Sequence, residues 1–161
     1  IAIGETPTGR DNIFNIYMID SAMEEFSLQL FCSPNDKGQG MELREATLFR
    51  EVRNVSPQTE DDWTVELHDI GNLTYTLDGL EYKRIWGGDS VSKVDMELFE
   101  ETIIRMEETL HYSNNYVLYA RDLSQASQQE LLLIGVEESA DGAELVNRIG
   151  LIVPTSAITV Q

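Results

Sequence analysis

The feature of the sequence that most constrains the fold is a pair of alternating segments on either side of Asp78-Gly79. An Asp-Gly pair supplies the positive φ angles of a two-residue type I′ turn, whose twist matches that of the strands it joins. Pairing of Leu77 with Leu80 across this turn aligns Tyr75 with Tyr82. We therefore predict a β-hairpin with one buried and one solvated face, as is typical of antiparallel sheets.

The two faces of this hairpin differ in chemistry. The predicted buried face consists of Leu73, Tyr75, Leu77, Leu80, Tyr82 and Trp86, and the solvated face of Thr74, Thr76, Glu81 and Lys83. Aromatic side chains that alternate with polar ones in this way are found more often in a core than in an open binding site.

Other segments also have the period of two or the β-branched composition of strands. They are Ile13–Ile19, Phe26–Leu30, Trp63–Leu67, Tyr116–Ala120, Leu131–Val136, Leu145–Val153 and a short last strand at Ile158 and Val160. Short strands separated by turn signals predict a mainly β (α+β) fold, an antiparallel sandwich or partly open barrel with one or two short helices. We expect residues 1–161 to form a single domain, and the start at Ile1 without a Met predicts a longer chain lacking its N-terminal segment here.

Two segments have patterns that fit either a helix or a strand. A stripe at helical spacing, after Ser92-x-x-Asp95 as a capping box, predicts a helix over residues 95–110. Its members are Phe99, Ile103, Met106 and Leu110. The β-branched run Thr102-Ile103-Ile104 instead favours a strand there, and residues 41–52 are ambiguous in the same way.

The net charge of the chain excludes some classes of binding partner. The chain has 29 Asp and Glu against 11 Lys and Arg, a formal net charge of −18 and a pI near 4.2. Such a surface repels phosphate backbones and anionic lipid headgroups, which argues against nucleic-acid binding and direct membrane insertion. The charge either serves solubility or attracts a protein partner with a basic face.

The chemically reactive side chains are few and have no spacing typical of a site. Cys32 with His68 or His111 could supply a thiol nucleophile and a base, but no motif places them together, and a buried structural thiol is the simpler interpretation. No metal-ligand spacing and no phosphate-binding or cofactor motif occurs, so we predict neither metal nor cofactor. The single cysteine predicts a reduced, cytoplasmic compartment.

Acidic doublets recur, but they do not form a catalytic pair. They are Glu24-Glu25, Asp61-Asp62, Glu100-Glu101, Glu107-Glu108 and Glu137-Glu138. Adjacent residues of a strand point to opposite faces, whereas a glycosidase needs two carboxylates facing each other. Solvated charge is therefore the expected role of the doublets.

The aromatic residues beside the Gly87-Gly88 turn give the one candidate contact site. Tyr82, Arg84, Trp86 and Asp89 lie close together in the sequence there. An exposed aromatic pocket with a cation and an acid could bind a small ligand or support hydrolysis.

Three stretches resemble a known family when taken in order. They are Leu77–Trp86, Tyr116–Arg121 and Glu130–Glu138, and Ile149–Pro154 adds a similar closing strand. They resemble the YjfK-like bacterial proteins, a family of unknown function, over about residues 60–160. The resemblance implies soluble cytoplasmic proteins encoded near a phage-shock-protein-A-like coiled-coil protein and a small integral membrane protein. It thus implies a role in an envelope-stress or membrane-maintenance system through contact with a protein partner.

Three hypotheses follow. The first is a non-enzymatic, acidic interaction domain that meets a basic face of a protein partner. The family resemblance implies that this partner is phage-shock-protein-A-like. The second is a small-ligand-binding or hydrolytic site in an aromatic pocket near Arg84 and Trp86. The third is a structural subunit of an assembly, which requires a large exposed apolar patch.

Overall fold

The structure, a computed structural model, describes residues 2–5, 12–20, 22–35, 40–105, 108–124, 128–139 and 142–158. The strands are β1 (Ala2–Glu5), β2 (Asn12–Ile19), β3 (Glu25–Pro34), β4 (Met41–Val55), β5 (Thr74–Leu77), β6 (Leu80–Arg84), β7 (Glu97–Arg105), β8 (Glu108–Asp122), β9 (Gln129–Ser139) and β10 (Gly142–Val153). The helix α1 is Glu60–Leu67, and a 3₁₀ turn is formed by Thr155–Ala157.

All strand pairings in the sheet are antiparallel. The long strands follow one another in the order β7-β8-β9-β10-β4-β3-β2, and the hairpin of β5 and β6 joins β8 beyond its pairing with β7. These nine strands do not close a cylinder by themselves; the four residues of β1 lie between β2 and β7. The prediction of a mainly β, antiparallel sandwich or partly open barrel is confirmed.

The predicted hairpin is confirmed in its register. Leu77 pairs with Leu80 and Tyr75 with Tyr82. Asp78 and Gly79 have φ angles of 51° and 77°, as a type I′ turn requires. Tyr82 and Leu77 are buried, but Leu80 is 42% exposed because it follows the turn at the end of the sheet.

The prediction of a strand at Trp63–Leu67 is wrong, since this segment lies in the helix α1. The Thr59 side chain accepts a hydrogen bond from the Asp62 backbone, and the Asp62 side chain accepts one from the Thr59 backbone. This capping box, with three acidic residues in the first turn, stabilises a helix N-terminus and outweighs the alternation of apolar residues.

The prediction of a helix over residues 95–110 is also wrong. Glu97–Arg105 is β7, and β8 begins at Glu108, so the strand alternative favoured by the β-branched run is confirmed. Residues 41–52 lie in β4. Ile158 follows the 3₁₀ turn and is not in a strand, and Val160 lies outside the described residues.

The two sides of the sheet have different cores. Outside the curved sheet, the hairpin and α1 cover β8, β9 and β10, where Tyr82, Tyr119 and Leu132 are fully buried. Inside it, Phe49, Leu131 and Leu133 form a smaller cluster. The described interior also holds several polar and charged side chains, and these include the second set of candidate residues.

Candidate functional site

The structure separates the four residues of the predicted contact site. Tyr82 is fully buried in the outer core, and Trp86 is half-buried beside it. Asp89 is exposed and accepts a hydrogen bond of 2.6 Å from Lys83 Nζ. Arg84 and Asp89 line one shallow surface depression of about 590 Å³, whereas neither Tyr82 nor Trp86 lines it.

Arg84 is used to hold the backbone. It is only 4% exposed, and Nε donates to Trp86 O at 2.8 Å. One terminal nitrogen donates to Gly88 O at 3.1 Å and to Val91 O at 2.7 Å, and the other donates to Gly71 O. The planar guanidinium suits this role, because its donors point in several fixed directions. Arg84 thus fixes the loop that follows β6.

Tyr82 is held by charged neighbours at its hydroxyl end. Its hydroxyl donates to Glu130 Oε1 at 2.6 Å, and Arg121 Nε donates to the same oxygen at 2.7 Å. The Arg121 guanidinium carbon lies 5.4 Å from the centroid of the Tyr82 ring. Burial and the hydrogen bond to Glu130 raise the pKa of Tyr82, so its phenol remains a donor. These contacts fix the ring in the core.

The other sequence candidates lie on separate elements. Cys32 is half-buried in β3, and burial raises the pKa of its thiol, which disfavours the thiolate. His68 is exposed at the end of α1, 2.8 Å from Asp69 Oδ1. His111 is exposed in β8, and its Nδ1 lies 3.1 Å from Thr102 Oγ1. No contact among Cys32, His68 and His111 occurs in the described part of the chain.

A largely buried ionic cluster inside the curved sheet was missed by the sequence analysis; Tyr17, at its edge, is 43% exposed. We call it the Arg148 cluster, and its members are Asn15, Tyr17, Glu51, Glu101, Asn114, Tyr116, Glu137 and Arg148. They come from six strands, β2, β4, β7, β8, β9 and β10.

Arg148 and Glu137 form the centre of this cluster. Both terminal nitrogens of Arg148 donate to the Glu137 carboxylate, one of them at 2.9 Å to Oε2. Glu51 Oε2 lies 3.7 Å from the same guanidinium, and the Tyr116 hydroxyl donates to Glu137 Oε1 at 2.9 Å. A Cβ on Gly135 would overlap with the Tyr116 ring, so glycine is needed there for the ring to lie against β9.

Glu101 is the second buried carboxylate, and its described partners are neutral. Asn15 Nδ2 and the Tyr17 hydroxyl donate to Oε1 at 3.1 and 3.0 Å, and Asn114 Nδ2 donates to Oε2 at 3.0 Å. Glu101 is 6% exposed, so water competes little for these bonds. Asn114 Oδ1 also accepts from the Glu138 backbone, which joins this part of the cluster to β9.

Burial and charge set the protonation of the cluster. Desolvation of the Tyr17 hydroxyl, together with the Glu101 and Glu137 carboxylates, raises the pKa of Tyr17 well above its usual value. Burial acts to lower the pKa of Arg148, but the hydrogen bonds and the charge of Glu137 outweigh it and raise that pKa. Burial also raises the pKa of Glu51, although Arg148 opposes the shift.

The cluster is chemically suited to structure rather than to proton transfer near neutral pH. A general base must be deprotonated, whereas the phenol of Tyr17 stays protonated and donates to Glu101. The guanidinium of Arg148 is already bonded to Glu137 through both ends. The described residues contain no group of three or more His, Cys, Asp or Glu side chains that could hold a metal ion.

The sequence contains a weak signal for the buried Arg84 and for the Arg148 cluster. Arg84 alternates in step with Tyr82 on β6 and with Trp86 just after it, and Arg148 interrupts an apolar strand. The doublets Glu100-Glu101 and Glu137-Glu138 each place one residue inside and expose the other, as the alternation of a strand requires.

Comparison with known proteins gives a family but no activity. No curated protein and no solved structure matches the chain. In the described part of the chain, no helix has the length and apolar composition to cross a membrane. A family model described as "Protein of unknown function (DUF2491)" matches residues 22–159, most of the chain. On this match, the chain belongs to the DUF2491 family of proteins of unknown function.

Proposed function

We propose that this protein is a non-enzymatic interaction domain whose acidic surface meets a basic face of a protein partner. The observation that carries the proposal is that the described Lys and Arg side chains are already bonded within the chain. Six of the described Lys and Arg side chains contact carboxylates of the same chain: Arg44, Arg50, Arg53, Lys83, Arg121 and Arg148. Arg84 and Lys93 donate to backbone carbonyls.

The remaining surface charge is therefore negative. Glu81, Glu97 and Glu100 are exposed and make no ion pair or hydrogen bond to a side chain elsewhere in the described chain. Such a surface speeds the encounter with a basic partner and disfavours acidic ones.

The resemblance to YjfK-like proteins suggests which partner to test. We infer contact with a phage-shock-protein-A-like protein in an envelope-stress or membrane-maintenance system of the bacterial cytoplasm. The small-ligand alternative has less support, because Arg84 is bonded to four carbonyls and Tyr82 is buried.

The test is salt-dependent retention of a purified phage-shock-protein-A-like protein on the immobilised domain. We expect retention at low ionic strength and release near 1 M salt, where the Debye length falls to about 3 Å. The variant E81Q/E97Q/E100Q should release the partner at lower salt, and the uncharged control S90A/S92A/S124A should not. Retention that is unaffected by salt and by the triple variant would reject the electrostatic interaction.

A further inference from the structure

A broad apolar surface lies on the outside of β2, β3, β4 and β10. Three rows of paired residues cross these strands: Phe14, Leu30, Ala46 and Val153; Ile16, Leu28, Leu48 and Leu151; Met18, Phe26, Arg50 and Ile149. We call these twelve residues the outer apolar face. Arg50 is its single charged member.

Most of the outer apolar face is exposed or half-buried in the described structure, and Ala46 is its one buried member. Met18, Leu48 and Leu151 are 41%, 40% and 44% exposed. Apart from Ile149, no member packs in either core of the described residues. The neighbouring outer surface of β8 and β9 is instead covered by the hairpin and α1. Contiguous exposed apolar surface of this kind marks an interaction site.

The size of the face favours a single segment over a second copy of the chain. Four strands about 4.8 Å apart and three rows about 7 Å apart give a face roughly 20 Å on a side, about 400 Å². A stable interface buries about 800 Å² on each partner. One helix of about 13 residues spans 20 Å, and within this molecule α1 already packs on the sheet through Trp63 and Leu67.

The charge beside the face favours a basic end on that segment. A groove of about 570 Å³ adjoins the last row, sharing Arg50 and Ile149 with it. Its carboxylates are Glu24, Glu25 and Asp78, and Glu51 also lines it, although the Glu51 carboxylate faces Arg148. Arg50 contacts Glu24 at 3.7 Å, and the other arginine of the groove, Arg53, is bonded to Glu66. The groove thus keeps an excess of negative charge, which would repel a second copy carrying −18.

We propose that the outer apolar face binds an amphipathic helical segment of a protein partner, with its Lys or Arg residues in the adjoining acidic groove. This docking site deepens the proposed function and rests on it. The apolar rows provide the binding energy, and the groove sets the direction in which the segment lies.

The probe is a fluorescent amphipathic 18-residue peptide with a Leu stripe and three Lys at one end, together with a copy in which Glu replaces Lys. We expect the Lys peptide to bind and L48Q/L151Q to weaken it at least about tenfold. E25Q/D78N should weaken it several-fold and reduce its salt dependence. The control V65Q/I85Q changes two exposed apolar residues outside the face and should leave binding unchanged.

Urea midpoints establish that each variant is folded. If the double variant L48Q/L151Q does not fold, the binding measurement is made with the single variant L48Q. Equal binding of the Glu peptide, or undiminished binding to L48Q/L151Q, overturns the proposal. A wild-type dimer by light scattering that L48Q/L151Q makes monomeric assigns the face to a second copy and overturns it as well. Salt-dependent retention of the basic partner is measured in a separate experiment. If that retention is observed while the peptide does not bind as expected, the docking site is rejected and the proposed function stands.

Discussion

The molecule buries two arginines in two different ways. Arg148 lies inside the curved sheet and is bonded to a carboxylate, with a second carboxylate nearby. Arg84 is the last residue of β6 in the hairpin, and its described partners are backbone carbonyls. The first arrangement balances charge against charge, whereas the second uses a charge to hold a loop in one shape.

The two kinds of partner predict that the stability of the two regions depends differently on pH. Carboxylates gain and lose protons, so the stability that Arg148 provides depends on pH. Carbonyls do not titrate, so the contribution of Arg84 should be nearly constant. Sequence proximity differs as well: the loop held by Arg84 lies within 13 residues of it, whereas the Arg148 cluster gathers six strands.

The largest effect is expected for Arg148→Met. Removing the guanidinium leaves Glu137 and Glu51 buried without their cation, which should lower the free energy of unfolding by about 3–5 kcal/mol near pH 7. Burial already raises the pKa of Glu51 against the opposing charge of Arg148, and loss of the guanidinium removes that opposition. The penalty at Glu51 is therefore complete above its folded pKa and disappears as pH falls below the unfolded one. Urea unfolding at pH 7 and pH 5 measures this change.

The double variant R148M/E137Q is the control, because it removes one of the carboxylates left unpaired. It should recover part of the lost stability. A loss below about 1 kcal/mol for R148M, equal at both pH values, would show that the cluster is not held by charge balance.

Arg84→Lys should have a smaller effect. An ammonium group keeps the charge but cannot reach four carbonyls in different directions, so about 2–3 kcal/mol should be lost. The loss should be the same from pH 5 to pH 8, and amide hydrogens of residues 86–91 should exchange faster. Lys83→Arg, on the exposed face of the same strand, should change the unfolding free energy by less than about 0.5 kcal/mol. A pH-dependent loss for R84K would remove the distinction between the two arginines.

Glu130→Gln should have the smallest effect on the free energy of unfolding. It extends the comparison of the two arginines to the Arg121–Glu130 ion pair, which is less buried. Burial acts to raise the pKa of Glu130, but the hydrogen bonds from Arg121 and Tyr82 outweigh it and lower that pKa. The carboxylate therefore stabilises the fold above its unfolded pKa of about 4.3, and this contribution is lost as pH falls through the folded pKa.

The expected loss for E130Q is about 1–2 kcal/mol at pH 7 and becomes smaller as pH falls toward 3, measured from urea midpoints across that range. Glu81→Gln, an exposed carboxylate on β6, provides the matched control. An E130Q loss that stays constant down to pH 3 would mean that packing of Tyr82, and not the charge of Glu130, is responsible.

Local patterns predicted the local parts of the fold. The Asp78-Gly79 turn fixed the register of its hairpin, since the φ angles it needs belong to those two residues. At Trp63–Leu67 two local signals disagreed, and the capping box, which the sequence analysis did not use there, decided for a helix. At residues 97–105 the β-branched side chains decided for a strand over a helical stripe.

The candidate sites were predicted less well. Tyr82, Arg84, Trp86 and Asp89 are close in sequence, but the pleat of β6 and the loop after it place Tyr82 in the core and Asp89 in solvent. The Arg148 cluster joins residues as far apart as Tyr17 and Glu101, and no spacing in the sequence brings these strands together.

By itself, the sequence determined the hairpin, the wealth of strands and the large negative charge, because turn geometry, side-chain alternation and charge are properties of neighbouring residues. The tertiary structure decided which side of each strand is covered. A period of two shows that alternate residues share a face, but only the pairing of distant strands encloses one face with Arg148 and leaves the other, with Leu48 and Leu151, exposed to solvent.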